Sequence, residues 1–154
     1  MAITRTNANS ITALPAGVGG KVLQVVSDSD GTSLSTTSTS FVDGGLSVNV
    51  TPTSTNSKIL VQFTTQTQAP SQGTVVVGIF RDSTNITAGF GSFSSYNSNG
   101  IIVQGGSGMV LDSPSTTSQI TYKVRFYSFT GSEVYLSSAS NFRILTVMEI
   151  AEWL

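Results

Sequence analysis

The sequence predicts an all-β fold, a sandwich or jelly roll, and three observations carry that reading. Apolar residues recur at every second position over short runs, and no window of about eleven residues gives a helical period. Turn-forming Ser, Thr, Asn, Gly and Pro interrupt those runs about every ten residues, the cadence of an all-β domain. Polarity comes from hydroxyls rather than charges: 25 Ser and 21 Thr occur among 154 residues, of which only 10% are charged. The globular norm for charge is roughly 25%.

The elements follow in order. Residues 1–20 are polar and end in Leu14-Pro15-Ala16-Gly17-Val18-Gly19-Gly20. One Pro and three Gly in so short a space rule out a regular core element, so 1–20 reads as an extended N-terminal arm and 21–154 as the β domain. Val22-Leu23-Gln24-Val25-Val26 is the first strand, stopped by Ser27-Asp28-Ser29-Asp30-Gly31. Leu46, Val48 and Val50 alternate with Ser47, Asn49 and Thr51 until Pro52 ends the run. Ile59, Val61 and Phe63 repeat the pattern, and Pro70 closes the loop after it. Residues 74–82 form a strongly apolar strand, with turn residues Asp82 to Asn85 behind it. Two short runs come next, 101–103 and 109–111, and then Ile120, Tyr122, Val124 and Phe126 mark the clearest two-faced strand. Gly131 predicts a hairpin into 133–136, and 142–150 is the last strand.

That last strand is apolar on both faces, with Ile144, Met148 and Ile150 on one and Leu145 and Val147 on the other. The sequence places Leu145 and Val147 outward, together with Val76 and Phe80 of the 74–82 strand. Exposed apolar area of that kind marks an interface, so Leu145 and Val147 are expected at the contact of a rotationally symmetric homo-oligomer. The alternative is that loops of the same subunit cover these residues.

Composition excludes several functions. The chain has no His and no Cys, which removes the Ser-His-Asp triad, cysteine nucleophiles, imidazole or thiolate zinc sites and disulfides. A net charge of −1 with seven basic residues gives little phosphate neutralisation, so no nucleic-acid partner is expected. No run approaches the roughly 20 apolar residues of a membrane span, and no signal-peptide pattern opens the chain. Synthesis in a cytoplasm follows as the expectation. No cofactor is expected. Asp28 and Asp30, followed by Gly31, are weak calcium candidates, because alternate carboxylates before a Gly turn resemble the start of a calcium loop; the bidentate Glu such a loop needs is replaced by Thr39. The ordinary alternative is a Ser/Asp/Gly turn. The eight carboxylates contain no pair whose spacing singles it out for glycoside hydrolysis, so no enzyme activity is expected. Segment 89–100 sets Phe90, Phe93 and Tyr96 among Ser, Gly and Asn, the composition of a recognition loop; packing on a neighbouring subunit explains it equally well.

Several stretches resemble a β module of tailed-phage virion proteins, cyanophage ones especially. They are GKVLQVVS at 20–27, STTSTSFVDGGLSVNVTPTSTNSKILVQ at 35–62, GIFRDSTNI at 78–86, ITYKVRFYS at 120–128, VYLSS at 134–138 and ILTVMEIA at 144–151. The resemblance implies a trimeric jelly roll similar to C1q and TNF heads, found at tail-fibre ends or as short virion-surface proteins, with no catalytic residues. Twenty residues before the module cannot supply a fibre shaft, which favours a homotrimeric head decoration (cement) protein on the virion surface. Its partners would be its own copies and the major capsid protein or another virion protein. The arm residues Ile3, Arg5, Ile11 and Leu14 would make the attachment. The alternative is a tail-fibre tip that recognises a host surface glycan.

Overall fold

In the computed structural model, residues 21–87, 93–96, 99–137 and 143–152 are described, residues 93–96 by their backbone alone. The arm residues Ile3, Arg5, Ile11 and Leu14, and Phe90, lie outside them. The described residues form eleven strands and no helix. These are β1 (Val22–Asp30), β2 (Leu34–Thr36), β3 (Val42–Val50), β4 (Lys58–Ala69), β5 (Thr74–Arg81), β6 (Thr84–Asn85), β7 (Phe93–Tyr96), β8 (Ile102–Asp112), β9 (Ile120–Ser128), β10 (Val134–Leu136) and β11 (Arg143–Ile150).

Setting aside the short β2, β6 and β10, the eight remaining strands pair from the outside of the sequence inward. β1 pairs with β11, β3 with β9, β4 with β8 and β5 with β7, all antiparallel. This nesting is the jelly roll, in which a long hairpin folds over into two facing sheets. The larger sheet runs β1-β11-β4-β8, with β10 and β2 extending one end; the smaller runs β3-β9-β5, with β6 and β7 beyond β5. One continuous core lies between them. Ile59, Val61 and Phe63 of β4 and Leu145 and Val147 of β11 meet Leu46, Val48, Val50, Val75, Val77, Ile79, Tyr122, Val124 and Phe126 from the other sheet.

The alternation read from the sequence in β3, β4 and β9 is the alternation of burial in the fold. Elsewhere the structure differs, each time for a local reason. β1 continues through Ser27-Asp28-Ser29-Asp30 instead of stopping there, because Asp28 and Asp30 turn to the seam between the sheets and find partners. Asp28 Oδ2 accepts the backbone N–H of Ser47 at 2.9 Å, and Asp30 receives Arg143. The runs 101–103 and 109–111 are the two ends of β8, whose Gly-rich middle is held in register by the twelve-residue β4. Gly131 (φ 78°) serves a crossover rather than a hairpin, since β9 belongs to the smaller sheet and β10 pairs with β2 and β4 of the larger.

The largest correction concerns β11. Leu145 and Val147 are fully buried core residues, and the outward face is that of Ile144, Met148 and Ile150. Arg143 and Glu149 share the inward face of β11 and are themselves buried. Charges are normally expelled from a core unless paired or hydrogen-bonded; at the rims of the sandwich Arg143 is ion-paired with Asp30 and Glu149 is hydrogen-bonded by Gln24 and Thr53. Val76 and Phe80 are also buried, at 1% and 6% exposure, because the subunit covers them itself. The ring of Phe41 lies 5.0 Å from that of Phe80 and 4.7 Å from that of Tyr127, both edge to face. Gly78 makes this cover fit: a Cβ there would stand 3.1 Å from both Phe41 Cε1 and Thr87 Oγ1.

Candidate functional site

Three polar clasps fix the rims of the sandwich. At one, Arg143 pairs with Asp30, and its Nη1 donates to Gly44 O at 2.6 Å. The carbonyl is offered by a bulge in β3, where Gly45 adopts φ 74°. The N–H and hydroxyl of Thr32, and then the Arg143 charge, hold the Asp30 carboxyl below its ordinary value of 3.8. At another, Glu149 accepts Gln24 Nε2 at 2.6 Å and both the N–H and hydroxyl of Thr53 at 2.7 Å. Burial pushes this carboxyl up, but the hydrogen bonds from Gln24 and Thr53 help to outweigh it and leave it below 4.5. At the third, Asp112 of β8 receives Arg81 of β5 at 2.9 Å and the Tyr122 hydroxyl of β9 at 2.7 Å. Burial, then the bond to Asp112, pushes the Tyr122 phenol far up, so it stays a neutral donor.

The carboxylates are thus structural acceptors. Asp43 Oδ1 accepts the N–H of Gly45, Asp82 Oδ1 that of Thr121, and Glu133 the Tyr135 hydroxyl. The calcium candidates Asp28 and Asp30 share one face of β1, but each has a protein donor against it. Among the described residues no group of three or more acidic side chains could hold a metal ion. Phe93 and Tyr96 lie on β7, where Phe93 stands opposite Val77 and Tyr96 opposite Thr74. Four of the twelve residues of the expected recognition loop are therefore strand, paired with β5.

What the rims leave free is the outer face of the larger sheet. Register aligns Val25 of β1 with Met148 of β11, Met148 with Leu60 of β4, and Leu60 with Leu111 of β8. The row is apolar across four strands, about 14 Å at the usual strand spacing. Val22 and Ile150 stand beside it on one side, Met109 on the other, and Ile144 one row further. Val25 is 58% exposed, Met109 66% and Leu111 50%. Thr146, Gln62, Thr64, Ser107, Gln66 and Gly105 continue the face without charge, and Val103 opposite Gln68 lies further along it. Among the described outward positions of these four strands one charge occurs, Lys58, at the margin and bonded to Ser113 Oγ at 2.8 Å. No helix among the described residues is long and apolar enough to cross a membrane.

The fold and this face define an all-β jelly-roll sandwich with a largely apolar sheet surface that no other described residue covers. No family model matches the chain, and no curated protein matches it. Among solved structures it is similar to VP2 of infectious bursal disease virus, from the crystal structure of its subviral particle. The identity is 10%, the TM-score 0.41, and the match covers 99% of this chain and 42% of that one. The chain thus spans less than half the length of that protein.

Proposed function

We propose that this chain is a structural protein of a virion surface, a phage protein that assembles as a homotrimer and decorates the head without catalysing a reaction. The observation that carries the reading is the uncovered face of the larger sheet. A row of Val25, Met148, Leu60 and Leu111 facing water is unfavourable by roughly 25 cal/mol for each Å² of apolar surface, and a contiguous patch of this kind marks an association surface. A face with one marginal charge suits copies of itself, because rotational symmetry brings like residues together and like charges would then repel. The contact strand expected from the sequence, 142–150, belongs to this face through Ile144, Met148 and Ile150.

Three further features support the role. The resemblance to phage virion modules runs through most of the chain. Seven of its eight carboxylates accept hydrogen bonds that hold the fold, which favours scaffold over catalyst. The arm, with Ile3, Arg5, Ile11 and Leu14, would then fasten the trimer to the capsid by ordering on it. Ordering costs about 1–2 kcal/mol of backbone entropy per residue and so needs a large partner surface.

Light scattering on the purified chain should give a mass of about three subunits, and Met148→Glu should give a folded monomer. A wild-type monomer at micromolar concentration would refute self-association. Copy number on the particle separates head from tail: hundreds of copies place the protein on the head, and a few dozen or fewer make it a tail-tip protein that reads a host glycan.

A further inference from the structure

The smaller sheet carries a second surface, of different chemistry. Arg81 and Arg143 are spent in ion pairs, and Lys58 is bonded to Ser113. Lys123 and Arg125 are not. They occupy alternate outward positions of β9, followed by Tyr127 two residues on, so three side chains with donor groups stand in line along one strand. Such positions repeat every 6–7 Å. Arg125 is fixed in place: its guanidinium carbon lies 5.0 Å from the centre of the Phe80 ring, and its Nε is buried without a hydrogen-bond partner. The nearby carboxylates Asp43 and Asp82 form no ion pair with it. Asp43, opposite Arg125 on β3, turns to the N–H of Gly45, and Asp82 turns to that of Thr121.

We propose that this face, centred on Arg125, docks a second protein through carboxylate side chains, Asp or Glu, on that partner. An Arg already ordered on an aromatic ring, half-buried and beside Tyr127 and Phe41, has the composition and setting of an interface hot spot, because little side-chain freedom remains to be lost on binding. Its planar donors match a carboxylate in the two-bonded geometry, and Lys123 adds a point charge on the same row. The surface is the outer side of three paired strands, β3, β9 and β5, with the Phe41 ring lying over Gly78 of β5, and such a sheet face suits an extended protein contact better than enclosure of a small ligand. The larger sheet's face selects neutral, self-complementary surface. The two faces of one sandwich therefore address different partners, and this docking site does not depend on the oligomeric state.

The test uses the full chain with two anionic probes, a Glu-rich dodecapeptide and polygalacturonate. Binding is followed by calorimetry and by NMR shifts of the β9 amides. The peptide should bind with affinity that falls as salt rises, should shift residues 123–127, and should lose about tenfold in affinity in Arg125→Gln. Lys123→Gln, which leaves the Arg125–Phe80 contact in place, should weaken binding in the same direction, while Lys58→Gln on the other sheet should not. Failure of the peptide to bind, or unchanged binding in Arg125→Gln and Lys123→Gln, overturns the proposal. Binding of polygalacturonate without the peptide overturns it too, and makes this a surface for an acidic saccharide.

Discussion

The two outward faces of the sandwich start from similar strand sequences and end differently. On the smaller sheet, Val76 and Phe80 point away from the core and are still buried; over Phe80 lie the Phe41 ring, which also meets Tyr127 and Gly78, and the Arg125 guanidinium. On the larger sheet, Met109, Leu111 and Val25 point away from the core and stay half-exposed or more. An aromatic just before β3 and an Arg on β9 make the difference, and nothing among the described residues does the same for the larger sheet. An apolar residue at an outward position therefore has two outcomes, self-cover or partner-cover, and the strand sequence alone does not distinguish them.

Neighbouring residues of β11 give the largest expected contrast. Val147 is fully buried, and Met148 is on the outward face. Val147→Asp places an unpaired charge in the core and should unfold the chain, at a cost of more than about 4 kcal/mol. Met148→Glu should leave the far-ultraviolet circular dichroism and the monomer's cooperative melt intact while removing assembly. If both variants unfold alike, the outer face is part of the subunit's own core and the comparison of faces fails.

Phe41→Ala sharpens the other side of the contrast. Truncation of a buried Phe costs about 3–5 kcal/mol; Phe41 is only partly buried, so a loss of about 2 kcal/mol is expected. The physical signature is exposure of Phe80, read as dye binding by a folded protein. The variant should become sticky on the smaller sheet as well, which urea unfolding and light scattering together would show. A melt unchanged from wild type would mean that Phe80 is covered chiefly by Arg125 rather than by Phe41.

How much of this was legible follows from particular residues. β9 and β3 were readable because their inward residues, Ser128 at the end of β9 apart, are not polar or charged enough to break the alternation, and their outward residues are mostly polar. β11 was not, since both of its faces are apolar and its two charges, Arg143 and Glu149, sit on the buried one. What buries them is long-range: Gly44 and Asp30 for the Arg, Gln24 and Thr53 for the Glu, none adjacent to β11 in sequence. The polar second half of β1 was missed for the same reason, because its two carboxylates are satisfied by Ser47 and Arg143. The uncovered face emerges only when register lines up β1, β11, β4 and β8. The Arg125 site was half visible, as two cations two residues apart, but their lack of partners depends on where Asp43 and Asp82 turn.

The rim carboxylates also set an acid response. Asp30 and Glu149 are held below their ordinary values, so folding favours their ionised forms. The stability they contribute is complete above the unfolded-state values of 3.8 and 4.5 and is lost as pH falls through the lower folded values. Melting temperature should therefore be flat near neutral pH and drop below about pH 4.5. Glu149→Gln should melt lower at pH 7, by about 1–3 kcal/mol for a disturbed buried acceptor, and show a shallower drop in acid. An equally steep drop in the variant would assign the acid response to Asp30 and the other carboxylates.

The smallest effect on the monomer is expected at Gly105, on the polar half of the larger sheet's face. It stands opposite Gln66 on β4, and a Cβ added to it meets nothing within 4 Å. Gly inside a strand costs roughly 0.5–1 kcal/mol relative to Ala, so Gly105→Ala should leave the isolated subunit unchanged or slightly more stable. Gly105→Trp should also be tolerated there, because the space above the strand is open. In an assembly the outcome inverts. If this face packs against copies of the chain, the added ring occupies the volume a neighbouring strand would fill, and association should weaken while the monomer melt holds. Light scattering of the two variants against wild type reads this directly. Full assembly of Gly105→Trp would confine the contact to the row of Val25, Met148, Leu60 and Leu111, with β8's glycines left facing water.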